Sequence, residues 1–310
     1  MGVFFAAADF ISRRAFSSAG LLPSTISVDP NTTIHCWLSP SLAHSRPSPT
    51  KPIVLLLHGF GPSATWQWRF QIGILSRHFD LVVPDLIFFG GSTTRSAERS
   101  ERFQAAAVAA LLVSLGIEEV VEAVVGTSYG GFVAYHVARL LGERGWAGKV
   151  VIASSDLGKT TEDEVALLRR AGGVGSVSDL LLPMTAEGGK RLLRLSVRRP
   201  TAFIPGFVLR DIFQKLSKDN YDEKIELLKG VTVGNKDLFQ LSPLTQHVLI
   251  IWGEHDGIFP VEKAFELNKK LGEKARLEVL KNTGHVPQLE DPAQFNKILL
   301  SFLLDGIQKA

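Results

Sequence analysis

Residues 121–131 read Val-Glu-Ala-Val-Val-Gly-Thr-Ser-Tyr-Gly-Gly. An apolar, β-branched run ends on a glycine-flanked serine and passes into helix-forming residues 132–141. The pattern predicts strand, sharp turn and helix, with Ser128 at the apex. A serine projecting from such a turn has a strained backbone. Side chains two residues before or after it would collide with the neighbouring strand and helix, which accounts for Gly126 and Gly130. The same turn aims the N–H of Tyr129 at the point where a reacting carbonyl oxygen would become negative. A purely structural turn in an α/β protein is the competing reading.

The rest of the chain supports the α/β setting. Strand-like runs are expected at 32–38, 52–57, 81–83, 149–153, 248–252 and 277–280, with helical segments at 66–77, 98–115, 261–271 and 292–304 between or after them. Strands alternating with helices argue for a mostly parallel sheet flanked by helices. Residues 157–241 break the rhythm. They carry helical pieces at 162–170, 186–195, 206–215 and 221–228 and no buried-strand pattern, as a helical cap would. The expected division is therefore an N-terminal helical segment (1–30), a first part of the core (31–156), the cap (157–241) and a second part of the core (242–310). Residues 43–51, with serines and two prolines, read as an exposed turn.

Composition narrows the function. Thirty-four basic against 31 acidic residues leave a net charge of +3, and the basic cluster at 191–199 is interrupted by leucines, so nucleic acid is not an expected partner. One cysteine, Cys36, excludes an internal disulfide and reads as an inert core thiol in the 32–38 strand. No histidine pair has metal-ligand spacing, and no cofactor or metal is expected. No run reaches the roughly 18–20 apolar residues of a membrane span. At the N-terminus Phe4, Phe5, Ala8, Ile11 and Ala15 form a loose helical stripe with Arg13 and Arg14 opposite. Three readings fit it: an interfacial helix touching a membrane or shielding a pocket, an organelle presequence, or a docking helix. The corresponding location is cytoplasmic, peripheral at a membrane, or within an organelle.

A serine hydroxyl needs a general base, and the base needs a group to orient it. His285, in Asn282-Thr283-Gly284-His285-Val286-Pro287, and Asp256, in Gly253-Glu254-His255-Asp256-Gly257, each follow an expected strand and so fall on the same edge as Ser128. Glu254 and His255 compete with Asp256 within one loop. The glycines of His58-Gly59-Phe60-Gly61 let the backbone N–H of Phe60 approach a ligand as a second oxyanion donor beside that of Tyr129. His58 reads as structural, and Asp85 as a carboxylate that ties loops together. Phe60, Ile258 and Val286 adjoin these positions and are the candidate substrate-binding residues. Leu181, Leu182, Phe203, Ile204, Phe207, Leu209 and Phe213 are apolar cap residues that could line a pocket or pack the cap onto the sheet.

Taken together, His58-Gly59-Phe60-Gly61, Pro84-Asp85, Gly126-Thr127-Ser128-Tyr129-Gly130-Gly131, Gly253 to Pro260 and Gly284-His285 resemble the α/β-hydrolase superfamily. The stretch from Trp66 through Pro84-Asp85 to Gly90-Gly91-Ser92 is also similar to plant hydrolases related to monoacylglycerol lipases. The resemblance implies an eight-stranded sheet, a helical cap after the sixth strand, and ester hydrolysis through an acyl-enzyme, with a small apolar ester as substrate. Ser128 excludes the branches of that superfamily that use an aspartate at the elbow, the epoxide hydrolases and haloalkane dehalogenases. Two alternatives keep the serine: a hormone-type receptor, and a carbon–carbon bond hydrolase in which Arg198 or Arg199 would hold a carboxylated substrate.

Overall fold

The structure is a computed structural model that describes residues 2–43, 49–61, 63–117, 121–199 and 204–306. Phe203, His44, Pro62 and most of the expected 43–51 turn lie outside the described residues. Nine strands form one sheet among the described residues: β1 (Leu22–Ser27), β2 (Thr32–Leu38), β3 (Ile53–Leu57), β4 (Asp80–Pro84), β5 (Thr93–Thr94), β6 (Val121–Thr127), β7 (Ala147–Ala153), β8 (His247–Gly253) and β9 (Ala275–Leu280). The order is β1-β2-β4-β3-β6-β7-β8-β9, with the two-residue β5 beside β2. Eight strands thus carry the sheet, and β5 is a short addition to the expected eight. β2 runs antiparallel to β1, β4 and β5, and every other pairing is parallel.

Around the sheet lie α1 (Val3–Ser18), α2 (Ala64–Trp68), α3 (Ile72–Leu75), α4 (Glu101–Ser114), α5 (Tyr129–Gly142), α11 (Glu262–Leu271), α12 (Pro287–Glu290) and α13 (Pro292–Leu304). Between β7 and β8 the cap holds α6 (Thr161–Arg170), α7 (Val177–Leu181), α8 (Ala186–Ser196), α9 (Gly206–Lys218) and α10 (Tyr221–Lys229). β3 and β4 are buried along their whole length, as strands covered on both faces must be. Their alternate residues feed two cores. Leu55 and Leu57 pack with α4, α5 and α11, while Val54 and Leu56 pack with Phe16, Trp68, Ile72, Phe295 and Leu299 on the other face.

Two expectations are corrected. Residues 1–30 are not helical throughout, because α1 ends at Ser18 and β1 follows. β1 is an edge strand with no fully buried residue, so no apolar run announces it, and the edge tolerates Pro23. The helix expected over 66–77 is two short helices. They part at buried Gln71, whose amide N–H groups reach the Gln288 carbonyl and Asn296.

β3 lies between β4 and β6, and the chain passes from β3 to one neighbour and then crosses to the other. The carboxyl ends of β3 and β6 therefore flank a topological switch point, where open α/β sheets form their ligand crevice. Ser128 and Phe60 sit in the loops that leave those two ends.

Candidate active site

Ser128 has φ +53° and ψ −123°, a conformation a non-glycine residue holds only under constraint. The constraints are visible. A Cβ at Gly126 would collide with the Gly130 carbonyl, and one at Gly130 would collide with the carbonyls of Leu57 and His58. The Ser128 N–H donates to the Ala153 carbonyl at 2.8 Å, and the Ser155 hydroxyl donates to the Ser128 carbonyl. The turn is thus clamped between β3 and β7.

His285 Nε2 lies 2.9 Å from Ser128 Oγ, and its Nδ1 lies 2.8 Å from Asp256 Oδ2. With Nδ1 protonated, Nε2 is the free base facing the hydroxyl. Asp256 Oδ1 accepts the N–H groups of Ile258 and Phe259, both at 2.9 Å, which turns the carboxylate toward the imidazole. The Phe259 ring packs edge-on against His285, with ring centres 5.5 Å apart. Glu254 and His255 point elsewhere: both are exposed, and Glu254 accepts the Asn282 N–H. Of the three polar residues in that loop, only Asp256 meets the histidine.

The acid and base loops are held by glycine and by the cap. A Cβ at Gly253 would collide with the Gly284 carbonyl, so the loops pack at backbone distance. The last turn of α8 supplies acceptors to both: Leu195 O takes the Gly257 N–H at 3.0 Å and Ser196 O takes the His285 N–H at 2.8 Å. Glu290 accepts the N–H groups of Gly284 at 2.6 Å and Arg198 at 2.8 Å.

Gln67 accepts the Gly59 N–H at 2.8 Å and so orients the Phe60 loop. No acceptor among the described residues takes the N–H of Phe60 or Tyr129. His58 is fully buried; its Nδ1 donates to the Gly59 carbonyl and its Nε2 accepts the Leu86 N–H, and burial holds its pKa below the usual histidine range. Asp85 ties the loop after β4 to the start of α2 and to β2, receiving the Ala64 N–H at 2.8 Å and meeting His35 Nδ1 at 2.8 Å. Burial, with the Asp85 carboxylate nearby, pushes the Cys36 thiol up to about 12, so it carries no thiolate at neutral pH.

A cavity of about 180 Å³ opens over Ser128 and His285, and Phe60, Ile258 and Val286 line it. From the cap, Leu167, Val177, Leu181, Leu192 and Val231 face it. Of the apolar cap residues singled out from the sequence, only Leu181 is among them within the described residues. Leu182 and Leu209 are buried elsewhere, Phe207 is exposed, and Phe213 packs on Gly189. Arg198 and Arg199 are exposed and do not line the cavity, so the structure withdraws them as the polar groups of a carbon–carbon hydrolase. Sequence reading missed the charged residues that line the same cavity: Asp156, Lys159, Asp163, Glu164, Arg170 and Lys263. Asp156 ends Ser154-Ser155-Asp156 just past β7, a polar cluster at a strand end that could have flagged it.

Residues 54–298 match the model of the alpha/beta hydrolase family, and the chain belongs to that family. It is 28% identical over 293 residues to a 2-hydroxy-6-oxo-6-phenylhexa-2,4-dienoate hydrolase of Comamonas testosteroni, covering 86% of this chain and 92% of that one. It is 25% identical over 266 residues to the human monoacylglycerol lipase ABHD6, covering 82% of this chain and 75% of the relative. The structure of a putative lipase from Acinetobacter baumannii superimposes with a TM-score of 0.75 at 20% identity, covering 98% of this chain and 97% of that one. That last likeness is one of fold.

Proposed function

We propose that the chain is a serine hydrolase that cleaves carboxylic esters with an apolar acyl group. Ser128 Oγ attacks the ester carbonyl while His285 Nε2 takes its proton, and Asp256 holds the imidazole in the required tautomer. The N–H groups of Phe60 and Tyr129 receive the oxyanion. His285 then protonates the departing alcohol, and water releases the acid from Ser128. The hydrogen-bonded line Ser128–His285–Asp256 on the wall of a mainly apolar cavity carries this reading. The lipase among its relatives supports the ester bond as target. The Comamonas relative keeps a carbon–carbon hydrolase as the alternative, although the cap arginines that reading relied on lie outside the cavity. A hormone-type receptor would keep the same line of residues without turnover. Labelling with a fluorophosphonate probe, followed by peptide mapping, separates these: label on Ser128 that disappears in S128A and H285A supports the hydrolase. A folded protein that takes no label refutes it.

The exposed face of α1 supports a second part of the proposal, contact with a membrane surface. Among the described residues no helix is long and apolar enough to cross a membrane. α1 turns Phe5, Ser12 and Phe16 inward, with Phe5 stacked on Trp66 and Asp9 accepting the Trp66 indole N–H. Its outer face carries Val3, Phe4, Phe10 and Ile11, the last two 65% and 63% exposed, and continues onto Phe207 of α9. Exposed Arg13 and Arg14 follow it. Apolar side chains beside arginines suit the headgroup region of an anionic bilayer. Wild-type protein should sediment with anionic vesicles and a Phe10→Glu/Ile11→Glu variant should not; equal sedimentation of the two refutes the contact.

A further inference from the structure

Holding the Phe60 loop uses only half of the Gln67 amide. Its Oε1 accepts the Gly59 N–H at 2.8 Å. An N–H can face only the oxygen of an amide, so the orientation is fixed and Nε2 is the end left over. Nε2 has no acceptor among the described residues. Gln67 is half-buried and lines the cavity together with Ser128 and His285. Thr127 Oγ1, Asp156 Oδ2 and the amide of Gln288 are also unpartnered on residues of that wall, but they are sealed from solvent and the Gln67 amide is not.

The amide lies beside the nucleophile. A Cβ at Gly59 would fall 2.9 Å from Ser128 Cβ and 3.3 Å from Gln67 Oε1, and one at Gly61 would fall 2.5 Å from Nε2. The side chain therefore spans Gly59 to Gly61, the residues on either side of Phe60. Its neighbours on α2 are pinned: Trp66 stacks on Phe5 and gives its indole N–H to Asp9, and Trp68 is fully buried. By donating into the amide oxygen, the Gly59 N–H polarises the amide and makes the Nε2 hydrogens better donors. A neutral donor held in place before reaction stabilises charge as it forms, without paying to reorganise.

We infer that the Gln67 amide is a third donor to the oxyanion, joining the N–H groups of Phe60 and Tyr129 when Ser128 adds to a carbonyl. This role rests on the serine-nucleophile reading proposed above and not on which bond is cleaved. In that step the bond from Ser128 Oγ to the carbonyl carbon forms, the hydroxyl proton passes to His285 Nε2, and the carbonyl π pair moves onto oxygen. The new charge then meets three donors instead of two. A ground-state carbonyl oxygen takes such a bond only weakly, so loss of Nε2 should fall on kcat and leave KM nearly unchanged.

Wild type, Gln67→Glu and Gln67→Met would be compared in affinity for hexyl trifluoromethyl ketone, which takes up Ser128 to form an oxyanion, and for hexyl methyl ketone, which does not. Hydrolysis of p-nitrophenyl hexanoate would be followed on the same proteins. Gln67→Glu keeps an oxygen for the Gly59 N–H and removes both Nε2 hydrogens. It should cut the preference for the trifluoromethyl ketone roughly 10²-fold and lower kcat by a similar factor, with KM nearly unchanged. The deficit relative to wild type should narrow as pH falls toward about 5, where the introduced carboxyl regains a hydrogen to donate. If Gln67 only holds the loop, Gln67→Glu keeps the wild-type preference and rate, and that result overturns the assignment. Gln67→Met, of similar size but without either polar atom, should lose the preference too. A preference that survives it overturns the assignment even if Gln67→Glu fails to fold. A wild type with no preference for the trifluoromethyl ketone also overturns it. Fluorophosphonate label on Ser128 would then leave the serine nucleophile standing, whereas absence of label would remove both.

Discussion

Replacing Asp156 by Asn should make the protein more stable at neutral pH, by an amount the site itself sets. Burial raises the Asp156 pKa from the ordinary 3.8 to about 6; the Lys263 ammonium and the Gly158 N–H pull it down, and Asp163 and Glu266 push it up, without cancelling the burial. About two units at 1.36 kcal/mol each make the ionised carboxylate roughly 3 kcal/mol less favourable in the folded chain than in the unfolded one. The folded state holds the proton more tightly, so wild-type stability grows as pH falls from about 6 toward 4 and is lost as pH rises through that window. Asn is neutral throughout and its carbonyl can still accept the Gly158 N–H. Asp156→Asn should therefore gain about 3 kcal/mol over wild type above pH 7, and the gain should vanish below pH 4. Urea denaturation of both proteins at half-unit steps from pH 4 to 8 measures the difference directly. A variant no more stable than wild type at pH 7.5, or a difference that stays constant across the range, refutes the reasoning.

Four other outcomes follow. Ser128→Ala should lower kcat roughly 10⁴-fold or more in ester hydrolysis with little change in unfolding temperature; retention of most of the rate would unseat Ser128. Gly130→Ala should fold poorly or lose activity, because its methyl would drive into the Leu57 and His58 carbonyls; thermal melts and esterase assays on the soluble fraction decide it. Glu290→Ala leaves the N–H groups of Gly284 and Arg198 without their acceptor and should cost about 1–3 kcal/mol, with kcat falling more than KM changes. Medium-chain p-nitrophenyl esters should be cleaved faster than the acetate; equal or reversed kcat/KM across the series counts against an apolar acyl pocket.

What the sequence made legible follows from where the information is local. Ser128, His285 and Asp256 each follow an apolar strand and sit beside glycines, so chain position alone puts them on one edge, and the structure brings them within hydrogen-bond reach. The buried strand β3 is a continuous apolar run and β6 holds one at 123–125, so both could be read directly. Edge strand β1 could not, since its residues are exposed or only half-buried. Cap residues were misjudged for a different reason. Whether Leu192 or Leu182 faces the cavity depends on how α8 and α7 pack, and hydrophobicity is the same for both. On α1 the apolar stripe splits. Phe5 goes inward with Asp9, which is polar yet satisfied by Trp66, while Phe4 and Ile11 go outward. Asp156 was overlooked because an aspartate past a strand ordinarily caps a turn, and only tertiary burial makes it anything else.

The two carbonyls at the end of α8 bear on how the cavity could open. Leu195 and Ser196 hold the backbone of the acid and base loops, so α8 behaves as a fixed pillar of the catalytic floor rather than as part of a hinged roof. A motion that lifted it would release Gly257 and His285 together and break up the hydrogen-bonded line Ser128–His285–Asp256. On the proposed reading, access must come from pieces of the cap that can part from α8. For engineering, the same fact sets a boundary. A cap exchanged between relatives should carry residues 186–199 with the recipient core, because that stretch is hydrogen-bonded to the loops of Asp256 and His285 even though it is inserted among the cap helices.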